Sequence, residues 1–396
     1  MDGIKDFPID NWIRQYAPKS QVQFHSSSTP ILSLNQLQSL APQSPMFDFD
    51  LKLDYGPFEG SETLRSHIAE LHSTADVEIT AENVIITPGS IFANYLILLT
   101  ICKPGDHVVC QYPVFSQLHL LPKHHDIGIS LWHMKPPKWH PDIADLERII
   151  KPETKAIILN NPNNPTGAVL PTELLQQVVD IAKRLNIIIF CDEVFRPLFH
   201  GDVPKPPPLV SLWSRNTISS GSISKTIGLP GVRVGWVVSP DKSLLRKIMV
   251  ARDYTTTTVS RLDDSIAAFT LDPNVLLKLR RRNLEFCREG IQMIDAFVKS
   301  NPHVRWSMPE GGGTAFIQIV DKNGLPVDDA EFCSKLAEEE GLCIIPCGWC
   351  FRDDGTDDFK GYCRLPLGQP DVLRKGLPIL QRFLQRLDST PHTHNS

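Results

Sequence analysis

The sequence predicts an α/β protein, in which a large domain with a mostly parallel sheet between layers of helices is joined to a smaller α+β domain. Between about residues 55 and 255, short runs that are apolar throughout alternate with segments that have the amphipathic period of a helix. Strands that are apolar on both faces are typical of parallel sheets covered on both sides. Beyond residue 266, helical stretches and short strands indicate an α+β unit.

The large domain's strands are predicted from its apolar runs. They lie at residues 84–86, 108–110, 127–132, 156–159, 187–191, 217–220 and 234–238. Helices are predicted at 91–102, 145–150 and 174–185, and Asn186 stops the last of them. In the smaller domain we expect strands at 315–320, 342–345 and 361–365, with helices within 266–297 and at 329–340 and 372–387. The first 50 residues lack a clear period and are predicted to be irregular.

Composition excludes several classes of function. Of the 396 residues, 41% are hydrophobic and 21% charged, as in ordinary globular proteins. The net charge of -5 argues against partners such as nucleic acid or an anionic membrane surface. The apolar stretch Tyr95–Cys102 is far shorter than the ~18 residues of a membrane span. Nine cysteines, an odd count, suit reduced thiols, and the polar start lacks a secretory segment, so we expect a cytoplasmic protein.

A loop that contains a lysine is the strongest local signal. Lys225 follows a predicted strand and is flanked by small hydroxyl side chains, and Arg233 precedes the next strand. A lysine amine can condense with an aldehyde, while hydroxyls and a guanidinium suit a phosphate group. Taken alone, the segment could also be a surface loop.

Three other loops follow strands of the same predicted sheet. Asn164 could donate to an oxygen on a ring, and Asp192 could pair with a protonated ring nitrogen. The segment Thr87–Ser90 leads into a helix whose free N–H groups could bind a phosphate. Each also has a plainer interpretation: a turn for Asn164, a helix cap or ion pair for Asp192, and an N-cap for Thr87 or Ser90.

The four loops together match the needs of one cofactor, pyridoxal 5′-phosphate (PLP), which requires an aldehyde partner, a ring acid, a ring donor and a phosphate cup. These segments resemble the aspartate aminotransferase superfamily, the fold type I PLP enzymes of aminotransferase class I/II. The resemblance extends from about Tyr55 to Gly368 and rests on three motifs. They are Tyr55–Arg65, Asn160–Gly167 and Ser222–Gly235. It implies a large cofactor-binding domain at 51–265 and a small domain formed by 1–50 and 266–396.

The resemblance also implies a role for each site residue. Lys225 would form the internal aldimine and move protons at the substrate Cα, and Asp192 would face the pyridine nitrogen. Arg364 would bind the substrate α-carboxylate, and Asn164 would contact the phenolic oxygen of the ring and lie beside the substrate. Tyr55 would reach the phosphate in the neighbouring subunit of a homodimer. The other cofactor contacts, with Phe115 stacked on the ring, would be Gly89, Ser90, Ile91, Phe115, Ser222, Ser224 and Arg233.

The implied function is that of a PLP enzyme that acts on an α-amino acid through an external aldimine and a Cα carbanion. The simplest such enzyme is an aminotransferase, which passes the amino group to a 2-oxo acid. Two departures keep an alternative open. Phe195 stands where the family usually has a tyrosine that donates to the phenolic oxygen, and His25–Pro30 replaces a glycine-containing substrate segment. The alternative is a β/γ-elimination or replacement enzyme, or an amino-acid cyclase of specialised metabolism.

Two further hypotheses are weaker. A cofactor-binding regulator without catalysis would need a DNA-binding domain, and the first 50 residues are too short and too acidic for one. Cys343, Cys347 and Cys350 have the C-x3-C-x2-C spacing that can hold an iron–sulfur cluster. The same segment resembles the strand and turn of the family's small domain, with Cys343 in the strand and Cys347 in the turn. We therefore expect no metal.

Overall fold

The computed structural model describes residues 6–202, 204–213, 215–353, 356 and 358–388. Its α-helices are α1 (Pro8–Tyr16), α2 (Leu34–Gln38), α3 (Glu62–His72), α4 (Ser90–Ile101), α5 (Ser116–His124), α6 (Ile143–Ile149), α7 (Thr172–Leu185), α8 (Lys242–Asp253), α9 (Arg261–Leu271), α10 (Pro273–Lys299), α11 (Asp329–Glu340), α12 (Cys347–Cys350) and α13 (Pro370–Leu384). Short 3-10 turns lie at Ala17–Lys19, Ala81–Asn83, Leu209–Ser211, Pro230–Val232 and Gln385–Asp388.

The strands form three sheets among the described residues. They are β1 (Val22–Gln23), β2 (Val84–Thr87), β3 (His107–Tyr112), β4 (Gly128–Lys135), β5 (His140–Pro141), β6 (Thr154–Asn160), β7 (Ile188–Asp192), β8 (Thr217–Ser222), β9 (Gly235–Val238), β10 (Val304–Trp306), β11 (Thr314–Ile319), β12 (Leu342–Cys343), β13 (Ile345–Pro346) and β14 (Tyr362–Pro366). Each apolar run predicted as a strand between residues 84 and 238 lies in, or overlaps, one of the strands β2 to β9.

The largest sheet has eight strands in the order β2-β9-β8-β7-β6-β3-β4-β5. Strands β8, β7, β6, β3 and β4 run parallel to their neighbours in that series. Strand β9 is antiparallel to β2 and β8, and β5 is antiparallel to β4. Apolar side chains of α4, α5 and α8 cover one face of this sheet, and those of α6 and α7 cover the other. The predicted α/β fold with a mostly parallel sheet is confirmed.

The strands of this sheet are apolar on both faces because both faces are covered, as the pattern of β6 illustrates. Ala156, Ile157, Ile158 and Leu159 are all buried, although their side chains alternate between the two faces. Helix α7 ends where predicted, because Asn186 adopts a left-handed conformation with φ 55° that a helix cannot continue.

A second sheet has four antiparallel strands in the order β10-β11-β14-β13. One apolar cluster joins this sheet to α11, α13 and the end of α10. This is the predicted α+β unit. The predicted division into two domains stays a prediction, and its limit at residue 265 lies inside α9.

The prediction that the first 50 residues are irregular is wrong. Helix α1 begins with a proline at its first turn and buries Ile9, Trp12 and Tyr16, which have the i, i+3, i+7 spacing of one helix face. Strand β1 pairs in parallel with β12, which lies some 320 residues later in the chain (Val22 opposite Leu342). Both elements are too short for the hydrophobic pattern of their own residues to predict them. They are stabilised by packing on the α+β unit.

Among the residues that the structure describes, no helix is both long and apolar enough to cross a membrane.

Candidate active site

The four loops singled out from the sequence lie side by side at one edge of the large sheet. Asn160, the last residue of β6, pairs with Asp192, the last residue of β7. Asp192 in turn pairs with Ser220 on β8. The next step across the sheet pairs Ser222 with Gly235, and Gly235 with Thr87. Parallel strands present their carboxyl ends at a common edge, which is the usual place for a ligand in such sheets.

Lys225 lies just beyond β8, largely buried, between charges of both signs. Burial and the guanidinium groups of Arg364 and Arg233 lower the pKa of Lys225 to about 8, while the carboxylates of Asp192 and Asp10 act in the opposite direction. The amine is therefore partly neutral near pH 8, which a nucleophile or a base requires.

Asp192 is 2% exposed and lies at the end of β7. Its Oδ1 accepts a hydrogen bond from the backbone N–H of Val194 at 3.0 Å, and its Oδ2 accepts one from Asn94 Nδ2 at 2.9 Å. Burial raises the pKa of Asp192 to about 6, and these hydrogen bonds oppose the rise. A cation that pairs with Asp192 would relieve the cost of burying its charge.

The turn before α4 forms a small cradle. Gly89, with φ 86°, is the N-cap of α4 and supplies no side-chain cap, so the first N–H groups of the helix are not capped by it. A Cβ on Gly89 would lie 2.4 Å from a guanidinium nitrogen of Arg233. A Cβ on Gly235 would lie 2.4 Å from the backbone nitrogen of Ser90. Backbone, helix start and guanidinium therefore approach one another closely, as an anion site requires.

The hydroxyl groups of the lysine loop line the next part of this edge. Ser222 Oγ lies 2.7 Å from Ser224 Oγ and 2.8 Å from the carbonyl oxygen of Val234. Ile91, also predicted to contact the phosphate, is the second residue of α4, and its side chain is 44% exposed. A contact through its backbone N–H stays a prediction.

Arg364, on β14, brings the α+β unit to the site. It is 3% exposed, and its Nη1 donates to Asn164 Oδ1 at 3.2 Å. Its Nη2 donates to the carbonyl oxygen of His25 at 2.6 Å, and its guanidinium lies 5.8 Å from the ring centre of Phe351. Among the described residues, its buried Nε has no hydrogen-bond partner. This donor is suited to a carboxylate ligand.

The segment Phe24–Thr29 joins the two halves of the site, which the sequence did not indicate. Thr29 donates its backbone N–H to the carbonyl oxygen of Lys225 at 3.1 Å, while His25 holds Arg364 as described. Burial and the positive charges of Arg364 and Lys225 all lower the pKa of His25. Only the departure of this segment from the expected glycine-containing pattern could have drawn attention to it.

The remaining residues that the sequence singled out for this site are aromatic. Phe115 precedes α5, and its ring packs edge-on against Phe7 with centroids 5.7 Å apart. Phe195 is 1% exposed and carries no hydroxyl for the site. Tyr55 is 79% exposed, and within the described part of the chain no contact joins its side chain to the other predicted residues.

The cysteines are free thiols, and all nine are buried. Cys343 lies in β12 as expected, but Cys347 begins the short helix α12 instead of lying in a turn. Burial raises the pKa of Cys347 and Cys350 well above the ordinary range for a thiol, so both are protonated at neutral pH. In the part of the chain that is described, no group of three or more potential metal ligands converges.

Comparison with known proteins agrees with this geometry. Residues 21–354 match the family described as aminotransferase class I and II. The chain is 27% identical to capreomycidine synthase of Streptomyces vinaceus, over 98% of this chain and 94% of that protein. A PLP-dependent aminotransferase from Streptococcus suis superposes with a TM-score of 0.88 at 29% identity, covering 99% of this chain and 100% of the other. The PLP-dependent cyclase OrfR superposes with a TM-score of 0.83 at 25% identity, covering 98% of each chain.

Proposed function

Because the chain belongs to the aminotransferase class I and II family, we propose that it passes the amino group of an α-amino acid to a 2-oxo acid at the site around Lys225. Membership makes the chain a PLP-dependent enzyme and a transferase. The observation that carries the assignment of the site is that one segment contacts both Lys225 and Arg364. Thr29 donates its backbone N–H to the carbonyl oxygen of Lys225 at 3.1 Å, and the carbonyl oxygen of His25 accepts from Arg364 Nη2 at 2.6 Å. Asp192 ends the strand beside the one that leads to Lys225.

The residues present fit PLP. A Cβ at Gly89 or Gly235 would clash with Arg233 or with the backbone of Ser90, so only glycine allows the guanidinium and the start of α4 to approach this closely. The backbone N–H groups at that helix start suit a phosphate. Arg233 supplies the positive charge beside it. When bound, PLP supplies an aldehyde for the lysine and a ring that withdraws electrons from the substrate Cα. We assign the phosphate to Gly89, Ser90, Ile91, Ser222, Ser224 and Arg233.

We assign a separate role in the reaction to each side chain around the site. The amine of Lys225, with a pKa of about 8, is positioned to take a proton from the substrate Cα. The carboxylate of Asp192 would pair with the ring nitrogen and keep it protonated. Arg364 offers its unpaired Nε to the substrate α-carboxylate, and this contact orients the Cα–H bond. Phe115 would offer an aromatic face to the ring, and Asn164 would donate to its phenolic oxygen.

A screen of single half-reactions tests the proposal. Protein loaded with PLP is mixed with each common amino acid in the absence of a 2-oxo acid, and products are identified by mass. We expect at least one 2-oxo acid together with an equal amount of pyridoxamine phosphate. Wild-type protein that fails to retain PLP would contradict the cofactor site. Retention of PLP without pyridoxamine phosphate from any amino acid would contradict transamination.

Two observations favour a cyclase as the second candidate. Two relatives that align over nearly the whole chain are named as capreomycidine synthase and a PLP-dependent cyclase. Phe195 also withholds a hydroxyl from the buried side of the site. In the same screen, a cyclase would release a product that retains the α-amino nitrogen, and the cofactor would return as PLP.

We also propose a homodimer in which Tyr55 serves the neighbouring site. Exposed apolar side chains in the same segment support this: Phe49 is 95% exposed, Leu53 76% and Phe58 56%. Mixing inactive Y55A and K225A proteins should restore part of the activity, because hybrid dimers contain one intact site. Absence of any restoration, with hybrid dimers verified by mass, would contradict the proposal. A cytoplasmic location remains part of it, supported by the nine free thiols.

A further inference from the structure

A buried hydrogen-bond network holds the carboxylate of Asp192. Its centre is Asn94, on α4, which is 2% exposed. Asn94 Nδ2 donates to Asp192 Oδ2 at 2.9 Å and to Gln117 Oε1 at 3.2 Å. Ser220 Oγ donates to Asn94 Oδ1 at 2.7 Å. Every polar atom of the Asn94 side chain therefore has a partner.

The orientation of the Asn94 amide follows from its neighbours. Gln117 Nε2 donates to the carbonyl oxygen of Ile91 at 2.6 Å, so Gln117 must present Oε1 to Asn94. A flipped Asn94 would turn Oδ1 towards both this oxygen and the carboxylate of Asp192, and acceptors would face acceptors. Only one orientation satisfies the network, and it directs an N–H at Asp192.

The network also connects the phosphate end of the cofactor site with its ring end. Ile91 lies in the first turn of α4, where the phosphate is assigned, and Asn94 lies one turn further along the same helix. Asp192 faces the ring end. Because α4, α5, β7 and β8 all contribute, Asp192 is held relative to the phosphate cradle by contacts that do not include the cofactor.

We propose that Asn94 is the positioning residue for Asp192: its N–H fixes the carboxylate and keeps it ionised, so that Asp192 is ready to pair with the protonated ring nitrogen. The proposal rests on the proposed PLP site. Asn94 acts through Asp192 and does not touch the cofactor. Its effect is thus on cofactor affinity and on the pH dependence of that affinity.

The charges that act on Asp192 determine the sign of the effect. Burial and the Glu193 carboxylate raise its pKa, while Val194 N–H, Asn94 and Lys225 lower it. Removing Asn94 therefore raises the pKa of Asp192 further above about 6. The carboxylate then forms only at higher pH, and PLP affinity reaches its plateau at higher pH.

The experiment measures PLP binding to apo-protein between pH 5.5 and 8.5 for the wild type and for N94L, N94D, S220A and S219A. Ser219 is the matched control, because it neighbours Ser220 and is buried, yet its Oγ has no partner among the described residues. At pH 7.5 we expect N94L to weaken binding about ten- to hundredfold, as for a lost hydrogen bond to a charge. N94D should weaken it more, S220A less, and S219A should match the wild type.

Two readouts separate positioning from a merely structural role. The pH at which PLP affinity reaches its plateau should rise by about one unit for N94L and by less for S220A. Binding of a carbocyclic PLP analogue, in which C–H replaces the ring nitrogen, should be almost unaffected by either substitution. A loss of affinity that is equal for PLP and the analogue, or that leaves the pH dependence unchanged, would overturn the proposal.

If N94L does not fold, S220A still tests the proposal. It removes only the hydroxyl group that donates to Asn94 Oδ1, so the volume of the site changes little. Wild-type protein that does not bind PLP at all would instead defeat the proposed function. Wild-type binding with unchanged N94L and S220A would defeat only the role of Asn94.

Discussion

The cofactor side and the substrate side of the site are built in opposite ways. On the cofactor side, the loops after β2, β6, β7 and β8 lie next to one another because their strands pair in one sheet. On the substrate side, Arg364 is held by Asn164 and His25, which are 200 and 339 residues away in sequence. Its Nε has no partner among the described residues, whereas every polar atom of Asn94 is paired.

This difference indicates that the fold fixes the cofactor side of the site, whereas the substrate side can vary. The cofactor side is organised before its ligand arrives, since the sheet and the buried network hold each group in place. The substrate side depends on three separate segments, each of which lies in or follows a strand of a different sheet. A change at His25 that leaves the contact of Thr29 with Lys225 intact can therefore alter substrate choice without disturbing cofactor binding. Substitutions of Arg364 and Gly235 should each affect one side of the site and spare the other, whereas a substitution of Lys225 should affect both.

Lys225 belongs to both sides, and its replacement should have the largest effect. For K225A we expect amino-group transfer to fall roughly 10³-fold or more, because proton transfer at Cα loses its base. The visible absorbance of the bound cofactor should change as well. The measurement is steady-state turnover together with the absorption spectrum. Lys242→Ala, at an exposed position, is the control. Full turnover by K225A would exclude Lys225 from the reaction.

Arg364 tests the substrate side alone. R364L should raise KM roughly 30- to 1,000-fold, as expected when one partner of a buried charge pair is removed. PLP affinity should stay within a fewfold of the wild type, because Arg364 lies outside the phosphate cradle. Substrate kinetics and PLP titration are measured on the same preparation, with R382L as an exposed control. Equal losses of both affinities would mean that the two sides are not separable.

Gly235 tests the cofactor side alone. A Cβ there would lie 2.4 Å from the backbone of Ser90, so G235A must displace the start of α4. We expect PLP affinity to fall about ten- to hundredfold, on the scale of a misplacement of about 1 Å. Gly231 has nothing within 4 Å of its Cβ position, so G231A is the matched control. Unchanged affinity in G235A would contradict the assignment of the phosphate cradle.

A substitution of Phe195 should have the smallest effect. In F195Y the added hydroxyl can donate to the phenolic oxygen of the ring and stabilise its ionised form. The pH midpoint of the absorbance change of bound PLP should therefore fall, by about half a unit to one unit. A spectrophotometric pH titration measures it, with F286Y on α10 as a remote control. A midpoint that stays constant or rises would show that residue 195 does not face this oxygen.

The sequence indicated the cofactor side far better than the substrate side. Lys225, Asp192 and Asn164 each follow a strand within a short motif, so a local pattern locates them. Asn94 and Gln117 were missed because they look like ordinary polar residues of helices, and only the packing of α4 against α5 and β7 gives them a role. The sequence marked His25–Pro30 only as a departure from the family pattern, because the contact of His25 with Arg364 depends on β1 pairing with β12, far away in the chain. No local pattern records such a pairing.

The pairing of β1 with β12 also bears on how the protein is made. A ribosome adds about 5–20 residues each second, and 320 residues separate Val22 from Leu342. Strand β1 therefore emerges roughly 15–60 s before its partner exists. The large sheet, complete by residue 238, can form during this interval. We expect nascent chains stalled near residue 300 to protect the sheet from proteolysis while the first 30 residues remain cleavable. The first segment to be synthesised would then be among the last to reach its native position.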